Sequence, residues 1–72
     1  MLQVGTVIHR AKSGRLVVHL TREVRPGAFL FDEGRRKLGK VVELIGPVKS
    51  PYASVAPASD RAGRPGEPAF AE

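Results

Sequence analysis

The sequence predicts a small all-β protein, a closed β-barrel of about six strands. Three observations carry this. Apolar residues, many of them β-branched, alternate with polar ones over short runs. Turn residues separate the runs: Lys12-Ser13-Gly14, Pro26-Gly27 and Asp32-Glu33-Gly34. Gly5, Gly39 and Gly46 fall inside or at the ends of runs, where a small barrel needs a bend or a bulge to close. Closure also removes unpaired edges, which matter in so small a sheet.

The first strand covers Val4 to His9, with Val4, Thr6 and Ile8 on one face. The Lys12-Ser13-Gly14 turn leads into Arg15 to Leu20, where Leu16, Val18 and Leu20 alternate with Val17 and His19. Pro26-Gly27 sets φ at one turn position and permits positive φ at the next. Ala28 to Phe31 is a short strand, with Phe29 and Phe31 sharing a face opposite Leu30; at least one of the two phenylalanines is expected in the core. After the acidic turn, Leu38 to Ile45 reads as the longest strand, because Gly39 and the Val41-Val42 pair disfavour a helix there. Tyr52 to Val55 is the last run, closed by Pro57.

Residues 1–57 form the barrel domain in this reading, and residues 58–72 a disordered tail. The tail is Ala, Ser, Gly and Pro with scattered charge, and Phe70 is its one large apolar side chain, too little to offset the entropy of ordering. Arg61 and Arg64 stand against Asp60, Glu67 and Glu72, so the tail carries −1 and the first 57 residues hold +6 of the net +5.

Seventy-two residues make one domain with a limited core. No cysteine is present, which excludes disulfides and thiolate metal sites. No run is long and apolar enough to span a membrane and the N-terminus lacks a signal-peptide pattern, so a cytoplasmic protein with no membrane contact is expected.

Catalysis needs converging groups, and none is evident. Asp32 and Glu33 are neighbours whose side chains diverge, and no serine or cysteine has a placed base. His9 and His19 sit on consecutive strands and are able to face each other across a hairpin, but a third metal ligand is missing. The reading is therefore no enzyme, no catalytic residues, no metal and no cofactor. A basic surface does attract polyanions. Arg35, Arg36, Lys37 and Lys40 form one basic cluster suited to RNA phosphates, and Arg10, Lys12 and Arg15 add charge at the first hairpin. With few aromatics to stack on bases, any RNA contact is expected to be electrostatic.

The run Gly46-Pro47-Val48-Lys49-Ser50-Pro51-Tyr52 is the most informative stretch. Two prolines exclude a helix or a central strand and predict a rigid, largely extended loop. Such a loop loses little entropy on binding, and Val48 and Tyr52 give it apolar contact.

The segment Leu38-Gly39-Lys40-Val41-Val42-Glu43-Leu44-Ile45-Gly46-Pro47-Val48-Lys49-Ser50-Pro51-Tyr52 resembles the core of the Gar-type subunit of H/ACA ribonucleoproteins in its short archaeal form. The Phe31-Asp32-Glu33 turn, Val4-Gly5-Thr6-Val7 and Gly14-Arg15-Leu16-Val17-Val18 match the same family's pattern. The Gly-Pro-Val-x-x-Pro-Tyr string is the specific part; Gly-Lys-Val alone is common.

The resemblance implies a closed barrel related to translation-factor domains and a non-catalytic role. It implies docking, as a monomer within the complex, on the pseudouridine synthase catalytic subunit of the H/ACA complex. Guide RNA and ribosomal RNA would be associated only indirectly, and substrate loading and product release in rRNA modification would be modulated through a mobile synthase loop. Joined to the loop argument, it nominates Phe29, Ile45, Pro47, Val48, Pro51 and Tyr52 as the partner-binding surface. The alternatives are a stand-alone basic RNA-binding barrel, or a ribosome-maturation assembly factor in which Leu-Gly-Lys-Val also follows an acidic turn. The glycine- and arginine-rich flanks of eukaryotic members are absent.

Overall fold

The computed structural model describes the chain except for Val48, Asp60 and Arg61. Its six strands are β1 (Leu2–Arg10), β2 (Leu16–Leu20), β3 (Phe29–Phe31), β4 (Lys37–Ile45), β5 (Tyr52–Pro57) and β6 (Pro68–Ala71). They close into an antiparallel barrel in the order β1-β2-β5-β4-β3-β6. The all-β barrel read from the sequence is the fold observed.

The interior is aliphatic. Leu16, Leu20, Leu30, Leu38, Val7, Val18, Val41 and Val55 are its largest fully buried side chains, and Ala53 and Ala69 fill the narrow places. None of the aromatics lies in this core. Leu30 takes the inward position on β3, so Phe29 is exposed and Phe31 half-buried on the outer face, against the expectation that one of them packs inside.

Two bulges explain a second departure. On β1 the buried residues are Val4, Gly5 and Val7, while Ile8 is exposed. Strict alternation fails because the register shifts between Gln3 and Gly5 against β6, and again between Val7 and His9 against β2. Each extra residue flips the faces beyond it.

The expectation of a disordered tail from Ala58 is corrected. Pro68–Ala71 is β6, inserted between β1 and β3. Ala69 is fully buried, and Phe70 pairs with Phe31 on one side and Gln3 on the other. The lead-in is also bonded. The Ala58 amide donates to the Leu38 carbonyl, and the Arg10 guanidinium donates to the Ala62 carbonyl at 2.8 Å. Composition misled because β6 is ordered by backbone pairing and one small core side chain rather than by apolar bulk.

The barrel is built from two equivalent halves. β1, β2 and β3 correspond to β4, β5 and β6. Gly5 lies opposite Leu20 and Ala69, and Gly39 lies opposite Pro57 and Leu30. The bulge before Gly5 against β6 has its counterpart before Gly39 against β3. The bulge after Val7 against β2 is matched by one after Val41 against β5. The turns before β3 and β6 are both Arg-Pro-Gly. In each, glycine has positive φ (94° at Gly27, 86° at Gly66) and the residue after it donates to the arginine carbonyl, at 3.1 Å and 3.0 Å. Gly27 N–H donates to the Val41 carbonyl as Gly66 N–H donates to that of Val7. A pseudo-twofold axis thus passes through the Val17–Ser54 pair and the Phe31–Phe70 pair.

A chain ending at Pro57 leaves β1 and β3 with open edges and an unfilled core position. It is expected to show no cooperative thermal transition by circular dichroism, where the full chain shows one; a cooperative transition in the short chain would contradict the role given to β6. A Cβ at Gly39 would collide with the Ala56 carbonyl oxygen. Gly39→Ala is therefore expected to cost about 2 kcal/mol in urea unfolding, the range of core overpacking.

Candidate functional site

β4 rises out of the core along its length. Leu38, Gly39 and Val41 are buried, and everything from Val42 to Ile45 is exposed. The bulge at Val42 turns Glu43 and Ile45 outward, opposite Ser54 and Tyr52 of β5. Ile45 is 50% exposed and Tyr52 38%. Tyr52 also pairs with His19 of β2, and the two rings lie 5.0 Å apart at 52°. This tilted packing suits the ring quadrupoles and holds Tyr52 in place.

The loop between β4 and β5 is a fold-back rather than an extended arm. The Ser50 amide donates to the Pro47 carbonyl at 3.2 Å, and the Leu20 amide donates to the Pro51 carbonyl at 3.0 Å. Pro47 is exposed and Pro51 half-buried; Val48 lies outside the described residues. A cleft of about 430 Å³ opens beside the loop, lined by Leu20, Val24, Leu44, Gly46, Lys49 and Pro51 among others.

The sequence-nominated docking residues do not all converge. Ile45, Pro47, Pro51 and Tyr52 share one end of the β4–β5 hairpin. Phe29 does not join them. Its partner on β4 is Lys40, five positions from Ile45, so it sits at a separate station along that strand.

Of the four basic residues, Lys37 and Lys40 flank Phe29 instead, and the other two lie in the adjoining turn. Arg35 and Arg36 lie in the β3–β4 turn, and Lys37 and Lys40 on β4; all four are exposed. The Asp32 carboxylate accepts from the Arg36 amide at 2.9 Å, and the Asp32 amide donates to the Arg36 carbonyl at 2.8 Å, so the acidic residue pins the turn that presents them. Arg35 takes a left-handed φ of 67° within that turn. Lys37 Nζ stands 4.4 Å from the centroid of the Phe29 ring. Composition alone misses this pairing, but the two-residue spacing of Phe29 and Phe31, with one inward Leu30 between, holds the signal for an outward aromatic.

His9 and His19 are not partners: His9 lies opposite Val17, and His19 opposite Thr6. Among the described residues no group of three metal-ligating side chains lies together, and no helix is long and apolar enough to cross a membrane.

The family profile of the Gar1/Naf1 RNA binding region matches residues 1–71, from the first strand through β6. The chain belongs to this family. It is also 32% identical over 57 residues to an uncharacterized protein of Methanothermobacter thermautotrophicus, covering 79% of this chain. It is 33% identical over 51 residues to an uncharacterized protein of Methanocaldococcus jannaschii, covering 71% of this chain. The chain spans 62% of the length of each relative. Gar1/Naf1 membership brings RNA binding as the family's named role, and the match includes the segment that closes the barrel.

The Tyr52–His19 contact is expected to couple the two residues by about 0.5–1 kcal/mol. A double-mutant cycle of His19→Ala and Tyr52→Ala in chemical denaturation measures this, and additive single effects would refute the contact.

Proposed function

We propose that this chain is a non-catalytic subunit of the H/ACA guide-RNA pseudouridylation complex, docking on the pseudouridine synthase subunit. The observation that supports it best is the exposed Ile45–Tyr52 pair beside a proline-bracketed turn. Tyr52 is held by His19, and the loop is tied to β2 through Pro51. Apolar side chains already fixed in place bind at low entropic cost. Membership of the Gar1/Naf1 family supports an H/ACA reading of the protein.

Docking then acts through populations. A subunit that binds one state of a mobile synthase loop more tightly shifts that loop toward the state. Substrate RNA loading and product release change with it, and no group on this chain need touch the reacting uridine. Pro47 and Pro51 fix the loop, Ile45 and Tyr52 are the described anchors, and Val48 is the remaining apolar candidate. The protein acts as a monomer within the complex, in the cytoplasm.

Ile45→Asp and Tyr52→Asp are each expected to weaken association with the synthase by about 2 kcal/mol, roughly 30-fold in Kd, as for an interface hot spot. Calorimetric titration of the folded variants against the purified synthase measures this. Wild-type affinity in both would overturn the assignment of this surface.

A further inference from the structure

Phe29 lies apart from the Ile45–Tyr52 surface. We propose that the surface around it is a binding site for single-stranded RNA, with a base stacked on the Phe29 ring and phosphates held by Lys37, Lys40 and Arg36. It stands on observations separate from the docking reading.

The first is the exposed aromatic itself. Phe29 is 44% exposed on the outer face of β3. Lys37 reaches over the ring at 4.4 Å, and Lys40 faces it across the ladder. An aromatic flanked by cations on a sheet surface combines the stacking platform and the charge that single-stranded nucleic acid requires. Stacking of a base is worth more than the exposed cation–π contact it would displace, so Lys37 is free to move to a phosphate.

The second is an internal control. The pseudo-twofold axis relates Phe29 to Pro68, Lys40 to Thr6 and Lys37 to Gln3: Pro68 lies opposite Thr6 as Phe29 lies opposite Lys40, and Phe70 opposite Gln3 as Phe31 opposite Lys37. The same backbone positions therefore close the barrel with no aromatic platform and no charge. The fold does not require Phe29, Lys37 or Lys40, and their clustering in one half calls for another cause.

The third is an adjoining cleft of about 750 Å³ between the β3–β4 turn and the β5–β6 connection. Arg36, Lys37 and Arg64 line it. Among the described residues Asp32 and Glu67 also line it, accepting from the Arg36 and Arg64 amides at 2.9 Å, so three cations against two carboxylates leave the lining at +1. A strand leaving Phe29 has a cationic path to follow. Asp32 and Glu33 in the turn are the opposing charges, and with Arg35, Arg36, Lys37 and Lys40 the stretch from Asp32 to Lys40 still sums to +2.

Fluorescence anisotropy of a labelled uridine-rich 12-mer RNA with the full chain tests this. Phe29→Ala is expected to weaken binding about 10-fold with the salt slope unchanged, and Phe29→Tyr to retain affinity. Lys40→Gln is expected to lower the slope of log K against log salt by about 0.7, one phosphate contact. Lys12→Gln, the same charge loss in the β1–β2 turn, should leave the slope as it is. The proposal fails if the wild type does not bind at about 50 mM salt, if Phe29→Ala binds as the wild type does, or if Lys12→Gln matches Lys40→Gln. Docking to the synthase is measured separately and does not share these outcomes.

Discussion

Everything in this molecule depends on closing a sheet of six short strands tightly enough that a handful of aliphatic side chains fills it. The constraint is met at two equivalent points. At Gly5 the His19 carbonyl, and at Gly39 the Ala56 carbonyl, occupies the space a Cβ would take. A bulge precedes each glycine, and bulge and glycine together give the local twist that brings distant strands into register. With the backbone this close there is room inside for leucine, valine and alanine only. That is why all four aromatics are on the outside, where they are available for other work.

The twofold repeat separates what the fold needs from what it merely carries. Positions that match across the axis are structural: glycine at 5 and 39, valine at 7 and 41 and at 18 and 55, phenylalanine at 31 and 70, and the Arg-Pro-Gly turns. Positions that differ in chemistry while sharing the backbone are candidates for function. Ile45 and Tyr52, partners across their hairpin, correspond to Ala11 and Arg15, whose hairpin is closed by the Ala11 N–H donating to the Arg15 carbonyl. Phe29, Lys37 and Lys40 correspond to Pro68, Gln3 and Thr6. The asymmetry thus falls on two patches, one apolar and one basic, at separate stations along β4.

How much of this the sequence reveals depends on whether a residue's face follows from strict alternation. On β2 it does: Leu16, Val18 and Leu20 are all buried as their spacing predicts. On β1 it does not, because a bulge cannot be seen in a run of alternating residues. Ile8 therefore reads as core and lies outside. β6 escapes for a different reason. Pro68-Ala69-Phe70-Ala71 lacks apolar bulk, and its place in the sheet follows from the partner strands it completes. The legible trace of it was the second Arg-Pro-Gly, repeating the turn that introduces β3. Of the nominated residues, Ile45, Pro47, Pro51 and Tyr52 lie near one another because they are close in sequence, while Phe29 lies elsewhere along β4, since chemistry alone says nothing about which station of a barrel a side chain occupies.

The separation of the two patches carries a physical consequence. An apolar surface and a cationic one placed side by side compete, since desolvating the first against a protein also desolvates charges beside it at a cost. Setting Ile45 and Tyr52 five positions along β4 from Lys40 keeps the basic cluster out of that desolvation, leaving Glu43 and Lys49 near the apolar pair. The wall of the barrel links the apolar station to the basic one along β4. Two contacts on one rigid body act at high effective concentration toward each other when both partners belong to the same assembly. On the proposed reading, an RNA contact that already binds on its own is strengthened further once the apolar surface is docked on the synthase.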